Sequence, residues 1–396
     1  MSLSIDQQIQ ALARPAERVL SEEDLRKKLA SGRQLRIKIG LDPTAPDVTL
    51  GHCVPLQIIR QFQDWGHRAV IIIGDYTARV GDPSGRNKTR PVLSGEEIDA
   101  HAKTYVAQVG KVLLTDPERF EIRYNGEWLA KMNLVDIIRL AGRMTVAQVL
   151  QREDFAKRFN EAEELRLHEV LYPLLQGWDS VKIDADVELG GSDQLFNNLV
   201  GREFQKEEGK EPQVVIVTPL LVGTDGVKKM SKSVGNYIAV NDPPSGDNGM
   251  FGKVMRLPDN LMRSYYTLLT EIPESEFGPL IDERPRDAKV GLAKHLITWL
   301  HSKDAADKAE QDFFRATHDE FPAEMPELKI EPGPHKLAPI MVQAGFVSSN
   351  SEAIRKIKEG AVKIDHVKVS DPAKEYMFDK AVVLQMGSRK FARLTP

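Results

Sequence analysis

Two lysines three residues apart, Lys229 and Lys232, flank Met230 and Ser231 and precede Ser233, in a polar stretch that opens at Gly223-Thr224-Asp225-Gly226 and closes near Gly235-Asn236. Paired ammonium groups on such a loop can close over a triphosphate and stabilise the charge that builds on a departing pyrophosphate. Taken alone, a short Lys/Ser string is more often a solvated charged loop. Far upstream, Thr49-Leu50-Gly51-His52 offers a second element, with an imidazole that can donate to a phosphate oxygen or simply cap a helix. The occurrence of both, in this order with a long α/β stretch between them, favours phosphate chemistry. Thr49, His52, Lys229 and Lys232 are its candidates.

These residues need a frame. Leu35-Arg36-Ile37-Lys38-Ile39 alternates like a strand, Gly40-Leu41-Asp42-Pro43-Thr44 reads as a turn, and Leu56, Ile59, Phe62 and Trp65 recur at helical spacing. The unit is strand, loop, helix. A helix N-terminus presents free N–H groups to an anion, and Gly51 lets a nucleotide approach the backbone closely. The apolar runs Ala69 to Ile73 and Val214 to Val217 suit strands of a buried parallel sheet. Ser94 with Glu97, and Thr145 with Gln148, have the spacing that starts helices.

At 396 residues and 41% hydrophobic, the chain can bury a large core and build two or three domains. No apolar run approaches the roughly 20 residues of a membrane helix, so a soluble, cytoplasmic protein is expected. The single cysteine, Cys53, excludes an internal disulfide and a multi-cysteine zinc site. Its place beside His52 can lower its pKa, although packing is the favoured role. Gly333 to Pro396 carries 11 Lys and Arg against 6 Asp and Glu, a net of +5, which leaves −9 on Met1 to Pro332. Polyanion binding follows local charge, so the tail is the natural electrostatic footprint. Composition breaks at Asp242 to Gly249, and again across Pro322, Pro326, Pro332 and Pro334, read as linkers.

With Gly81-Asp82-Pro83-Ser84-Gly85, Tyr172-Pro173-Leu174-Leu175-Gln176, Asp179 and Gly190-Gly191-Ser192-Asp193-Gln194 added to the two signatures, the chain resembles the bacterial tyrosyl-tRNA synthetases nearly end to end. That resemblance implies an α/β fold. Residues 1–241 would form a Rossmann-like parallel-sheet catalytic domain, with a helical insertion near Leu134 to Asn160 for a homodimer interface. Residues 249–330 would form a small helical domain at the anticodon stem, and residues 333–396 a small α+β S4-like RNA-binding domain. The implied partners are L-tyrosine, ATP with Mg2+ carried on the nucleotide, and tRNA(Tyr). No prosthetic group and no protein-held metal are implied.

By the same resemblance, Thr44, Thr49, His52, Lys229 and Lys232 serve phosphoryl transfer. Asp42, Gly51, His52, Asp193, Met230, Ser231 and Lys232 line the ATP side, and Lys38, Thr77, Asp82, Tyr172, Gln176, Asp179 and Gln194 the tyrosine side. Asp82 would take the ammonium with Tyr172 and Gln176 assisting, and Asp179 would accept from the phenol. Asp82 can instead merely shape a turn, and Tyr172 to Asp179 one face of a helix start. Two positions depart from the commonest pattern. Thr49 replaces a frequent histidine, as a hydroxyl that can still donate to a phosphate. Lys38 replaces a frequent tyrosine and can meet the phenol, pair with Asp179, or enter a structural ion pair.

In the tail, the helical pattern over Ser351 to Gly360 presents Arg355, Lys356 and Lys358, suited to a phosphate backbone and equally to a solvated face. Tyr265 and Tyr266 can stack on bases, though burial is favoured. A tryptophanyl enzyme would share both signatures, but Gln176 with Asp179 favours a phenol. A non-catalytic RNA-binding protein would not need the loop lysines. A dinucleotide enzyme would need a Gly-x-Gly-x-x-Gly after an early strand.

Overall fold

Unbroken apolar runs form the middle of a six-stranded sheet. Its strands are β1 (Arg18–Leu20), β2 (Arg36–Leu41), β3 (Arg68–Ile73), β4 (Phe120–Tyr124), β5 (Val187–Gly191) and β6 (Val214–Thr218), in the order β1-β6-β5-β2-β3-β4. Strands β2 to β6 pair in parallel and β1 closes one edge antiparallel to β6. Every residue of β6, and all of β3 after Arg68, is buried, as a sheet covered by helices on both faces requires. The computed structural model describes residues 3–84, 94–246, 248–317, 321, 325–387 and 390–396. Gly85, Asp247 and Pro322, named above in a motif and two linkers, lie outside them.

The chain runs from β2 outward through β3 and β4, then returns to β5 and β6 on the other side of β2. That reversal opens a crevice beyond the carboxyl ends of β2 and β5, the place where open α/β sheets bind ligands. The helix Leu50–Asp64 follows β2, and the helix Leu167–Lys182 precedes β5. The expected helix starts at Ser94 and Thr145 are present, each with a reciprocal capping box.

The chain divides into two compact units, Met1–Asp242 with Lys253–Ser302, and Pro243–Gly252 with Lys303–Pro396. In the first, Tyr265 and Tyr266 are buried on the helix Met262–Leu269 and donate to the carbonyls of Val222 (2.6 Å) and Ala288 (2.7 Å), which makes them core residues rather than base-stacking platforms. In the second, β7 (Glu327–Lys329), β8 (Pro334–Lys336), β9 (Val362–Ile364), β10 (Val367–Val369), β11 (Glu375–Met377), β12 (Val382–Met386) and β13 (Lys390–Thr395) form a five-stranded sheet β10-β9-β12-β13-β7 and the pair β11-β8. Two helices, Leu337–Gln343 and Asn350–Lys358, supply Met341, Ala353 and Ile357 to a core shared with Val362, Leu384 and Leu394.

Candidate active site

One cavity sits over the reversal point. It is lined by the ends of β2 and β5, by Thr44, Thr49, Gly51 and His52, and by Lys229, Met230, Ser231 and Lys232. The two signatures therefore meet, although about 180 residues separate them. Backbone pairing is the cause: Thr49 bridges Ala239 in antiparallel fashion, Leu50 N–H donates to Ile238 (2.9 Å), and Val240 N–H donates to Val48 (2.8 Å).

The lysine loop has its own frame. Asn236 accepts from Ser231 N–H (2.8 Å) and donates to Asp225 (2.9 Å), and Met230 N–H donates to the Leu221 carbonyl (2.7 Å). Lys229 pairs with Asp193 at 2.7 Å. Lys232 donates to the Asp47 carbonyl (2.9 Å) and to the Tyr105 hydroxyl. Tyr105 also presents its ring edge-on to His52, with centroids 6.5 Å apart.

Thr49 caps the helix Leu50–Asp64, and its backbone N–H donates to His52 Nδ1 (3.2 Å) with its hydroxyl on the same nitrogen (2.8 Å). An Nδ1 that accepts from a backbone amide leaves the ring proton on Nε2. Burial and the neighbouring Lys232 charge drive the His52 pKa down to about 3, so the imidazole is neutral, with one N–H to donate. Thr49, expected as a free phosphate donor, is buried and has its hydroxyl on His52. Cys53, one residue on, is buried and burial pushes its thiol pKa up, which removes the lowered-pKa alternative.

Deeper in the cavity stands Asp179, which accepts from Trp128 Nε1 (2.8 Å) and Asn125 Nδ2 (3.2 Å). Burial lifts its pKa to about 7, against the nearby Lys38 charge and these two donors. Lys38 itself does not line the cavity. It is fully buried and bonded to Glu188 (2.7 Å), Ser180 Oγ (2.8 Å) and the Gln176 carbonyl (3.1 Å). The reading of Lys38 as a phenol contact is thus corrected. Lys38 and Glu188 lie directly opposite each other on β2 and β5, so a buried carboxylate claims the ammonium.

The Tyr172 hydroxyl donates to Asp42 (2.9 Å), whose other oxygen accepts from Thr77 (2.8 Å), while Asp82 accepts from Gln194 (2.9 Å) and Ser84 N–H (2.9 Å). Gly74 is what lets Asp42 and Thr77 meet: a Cβ there would lie 1.9 Å from Asp42 Oδ1. Asp42, Thr77, Asp82, Tyr172, Gln176, Asp193 and Gln194 all line the cavity. Tyr105, Asn125, Trp128 and Glu188 were not anticipated. The first three fall outside every motif, and only Glu188, two residues before Gly190-Gly191, lay near a signal.

In the second unit, the helix Asn350–Lys358 exposes Arg355 and Lys358, and Lys356 pairs with Glu359 at 2.7 Å.

A parallel α/β sheet with a His-bearing helix start and a lysine loop over one cavity defines a nucleotide-activating enzyme. The chain belongs to the class I tRNA synthetases of the W and Y group, whose family model matches residues 30–317. Residues 317–394 match the C-terminal domain of the tyrosine–tRNA ligases. Among relatives, the tyrosine–tRNA ligase of Idiomarina loihiensis is 49% identical over all of this chain and 99% of its own length. That of Mannheimia succiniciproducens is 51% identical over 97% of both. The tyrosyl-tRNA synthetase of Archaeoglobus fulgidus, solved with L-tyrosine, superposes with a TM-score of 0.62 at 25% identity, over 77% of this chain and 99% of that one.

Proposed function

We infer that this chain attaches tyrosine to tRNA(Tyr) at the expense of ATP, as a tyrosine–tRNA ligase. The tyrosine carboxylate would attack the α-phosphorus and expel pyrophosphate. A ribose hydroxyl at the tRNA end would then attack the adenylate carbonyl and release AMP. The first nucleophile is already ionised, so rate must come from positioning and from neutralising charge on the in-line transition state. The reading rests above all on one observation: Lys229, Lys232 and His52 line the same cavity as Asp179. Lys232 meets a carbonyl and a hydroxyl and Lys229 a carboxylate, contacts exchangeable for phosphate oxygens.

For tyrosine over tryptophan, Asp179 offers an acceptor deep in the pocket whose remaining lone pairs suit a phenolic hydroxyl. Full-length relatives near half identity carry the tyrosine name. Magnesium would arrive on the triphosphate, bound through the nucleotide; among the described residues, no group of three or more His, Cys, Asp or Glu is placed to hold a metal ion. No helix among them is long and apolar enough to cross a membrane.

We propose three functional segments: catalysis in 1–241, anticodon-stem contact in 249–330, and RNA binding in 333–396 through Arg355, Lys356 and Lys358. A homodimer is also proposed. Leu134 (73% exposed), Ile138 (61%) and Phe159 (62%) are large apolar side chains left exposed on the 134–160 insertion, the kind of residue a partner subunit would cover. Tyrosine-dependent ATP–pyrophosphate exchange, followed by charging of tRNA(Tyr), tests the central reading. Robust exchange with tyrosine is expected; exchange with tryptophan alone, or with neither, overturns it.

A further inference from the structure

Behind the cavity wall lies a buried arginine that no motif marked. Arg152 sits at the start of the helix Glu153–Asn160, inside the insertion, and its guanidinium lies 4.5 Å above the Phe155 ring. Nε and Nη2 donate to Asp154 (2.7 and 3.1 Å), Nη2 also to Ser84 Oγ (2.8 Å), and Nη1 to Asn197 Oδ1 (3.1 Å). Neither Arg152 nor Asn197 lines the cavity, yet Ser84, Asp82, Gln176 and Gln194 all do.

A guanidinium can only donate, and this fixes the polarity of everything downstream. Asn197 must turn its oxygen to Arg152, which aims its amide nitrogen at Gln176 Oε1 (2.9 Å) and Gln194 Oε1 (3.1 Å). With that oxygen engaged, Gln194 turns its own nitrogen to Asp82 (2.9 Å) and Ser84 Oγ (3.0 Å). Asp82 thus receives one oriented amide from Gln194 and one N–H from Ser84, both set by residues that Arg152 holds.

We propose that Arg152 is a positioning residue for the substrate ammonium, acting through Ser84, Asn197 and Gln194 on the aim of Asp82. The assignment rests on the tyrosine-activation reading above. Without the guanidinium, Asn197 can flip, and a flipped Gln194 would set its oxygen against the Asp82 carboxylate. The pocket would then lose its grip on the ammonium while its hold on the phenol, built on Asp179 from other elements, stays as it was.

Two competitive inhibitors of exchange separate these effects: tyrosinol, which has the ammonium and the phenol, and 3-(4-hydroxyphenyl)propionate, which lacks the ammonium. In Arg152→Met the tyrosinol Ki is expected to rise about tenfold or more, the scale of a disrupted buried polar network, with the des-amino Ki moving less than about twofold. Arg152→Lys, which keeps the charge but reaches only part of the network, should fall between. Equal weakening of both inhibitors, or no change in either, overturns the inference. If Arg152→Met does not fold, the same ratio is read on Arg152→Lys, with the same outcomes decisive. A wild type without tyrosine-dependent exchange would instead sink the underlying reading.

Discussion

The floor and the rim of this cavity are built on opposite terms. Beneath the floor, behind the residues that line it, Lys38 and Glu188 are buried to within 1% exposure, locked across adjacent strands, and tied to Ser180, Gln176 and Gln213. At the rim, Lys229 is 36% exposed on a loop and meets a carboxylate that is itself partly exposed. Interior charges in such a network are expensive to uncover, whereas half-exposed ones can exchange partners at little cost. Recognition of an amino acid wants the first arrangement. Handling a polyphosphate that arrives, reacts and leaves wants the second.

The comparison breaks most visibly if the floor is cut. Lys38→Met strands the Glu188 carboxylate in the interior and should destabilise the fold by about 3–5 kcal/mol, read from the denaturant midpoint. Adding Glu188→Gln removes the orphaned charge and should restore much of that loss. A Lys38→Met protein as stable as wild type would mean that the pair is not the anchor its geometry describes.

At the rim the signs reverse. Lys232→Ala should cost far less stability than Lys38→Met, since Lys232 meets the Asp47 carbonyl and the Tyr105 hydroxyl and strands no buried charge at either, yet reduce tyrosine-dependent exchange roughly 10²–10³-fold, as expected when a transition-state charge donor is lost. The tyrosine KM should hardly move. Retained exchange would remove that ammonium from the chemistry, and a large stability loss would erase the contrast with Lys38.

Acidity sharpens the floor further. The Asp179 carboxyl keeps its proton up to about pH 7 in the folded chain, against an ordinary 3.8. Between those values the folded chain holds a proton that the unfolded chain has released, so this group's contribution to stability declines as pH rises from about 4 to 7. Tyrosine binding should run the other way: the ionised carboxylate is the phenol acceptor, so affinity weakens as pH falls through about 7, by up to roughly tenfold per unit. Titrated binding to wild type and Asp179→Asn checks this. The limb near 7 should vanish in the variant, and a flat wild-type profile from pH 6 to 8 would dismiss the role.

The strands and the two signatures were legible because each is local: apolar runs for β3 and β6, a capping pattern for Ser94, Gly-His after a strand. The helix of the C-terminal domain was legible for the same reason, with Asn350–Lys358 falling on its apolar spacing of Ala353 and Ile357. What stayed hidden depends on register between distant segments. That Lys38 faces Glu188 follows from the pairing of β2 with β5, and that Tyr172 serves Asp42 follows from how the helix Leu167–Lys182 lies over the sheet. Tyr105, Asn125, Trp128 and Arg152 carry no motif at all. The bonds that tie them to Lys232, Asp179 and Asn197 span from 45 to 127 positions, a spacing with no periodicity to read.

Thr49 stands between floor and rim and should show the smallest effect. Its hydroxyl and its N–H converge on His52 Nδ1, so the side chain supports a tautomer that the backbone already enforces. Thr49→Val keeps the shape, the backbone donor and the neutral ring, and removes only the second contact. Exchange should therefore fall by only about 3–10-fold, the scale of one neutral hydrogen bond, with the ATP KM nearly constant. A loss as deep as that of Lys232→Ala would mean that the hydroxyl meets phosphate directly, and the imidazole would no longer be its sole client. No loss would mean that the amide alone holds the ring.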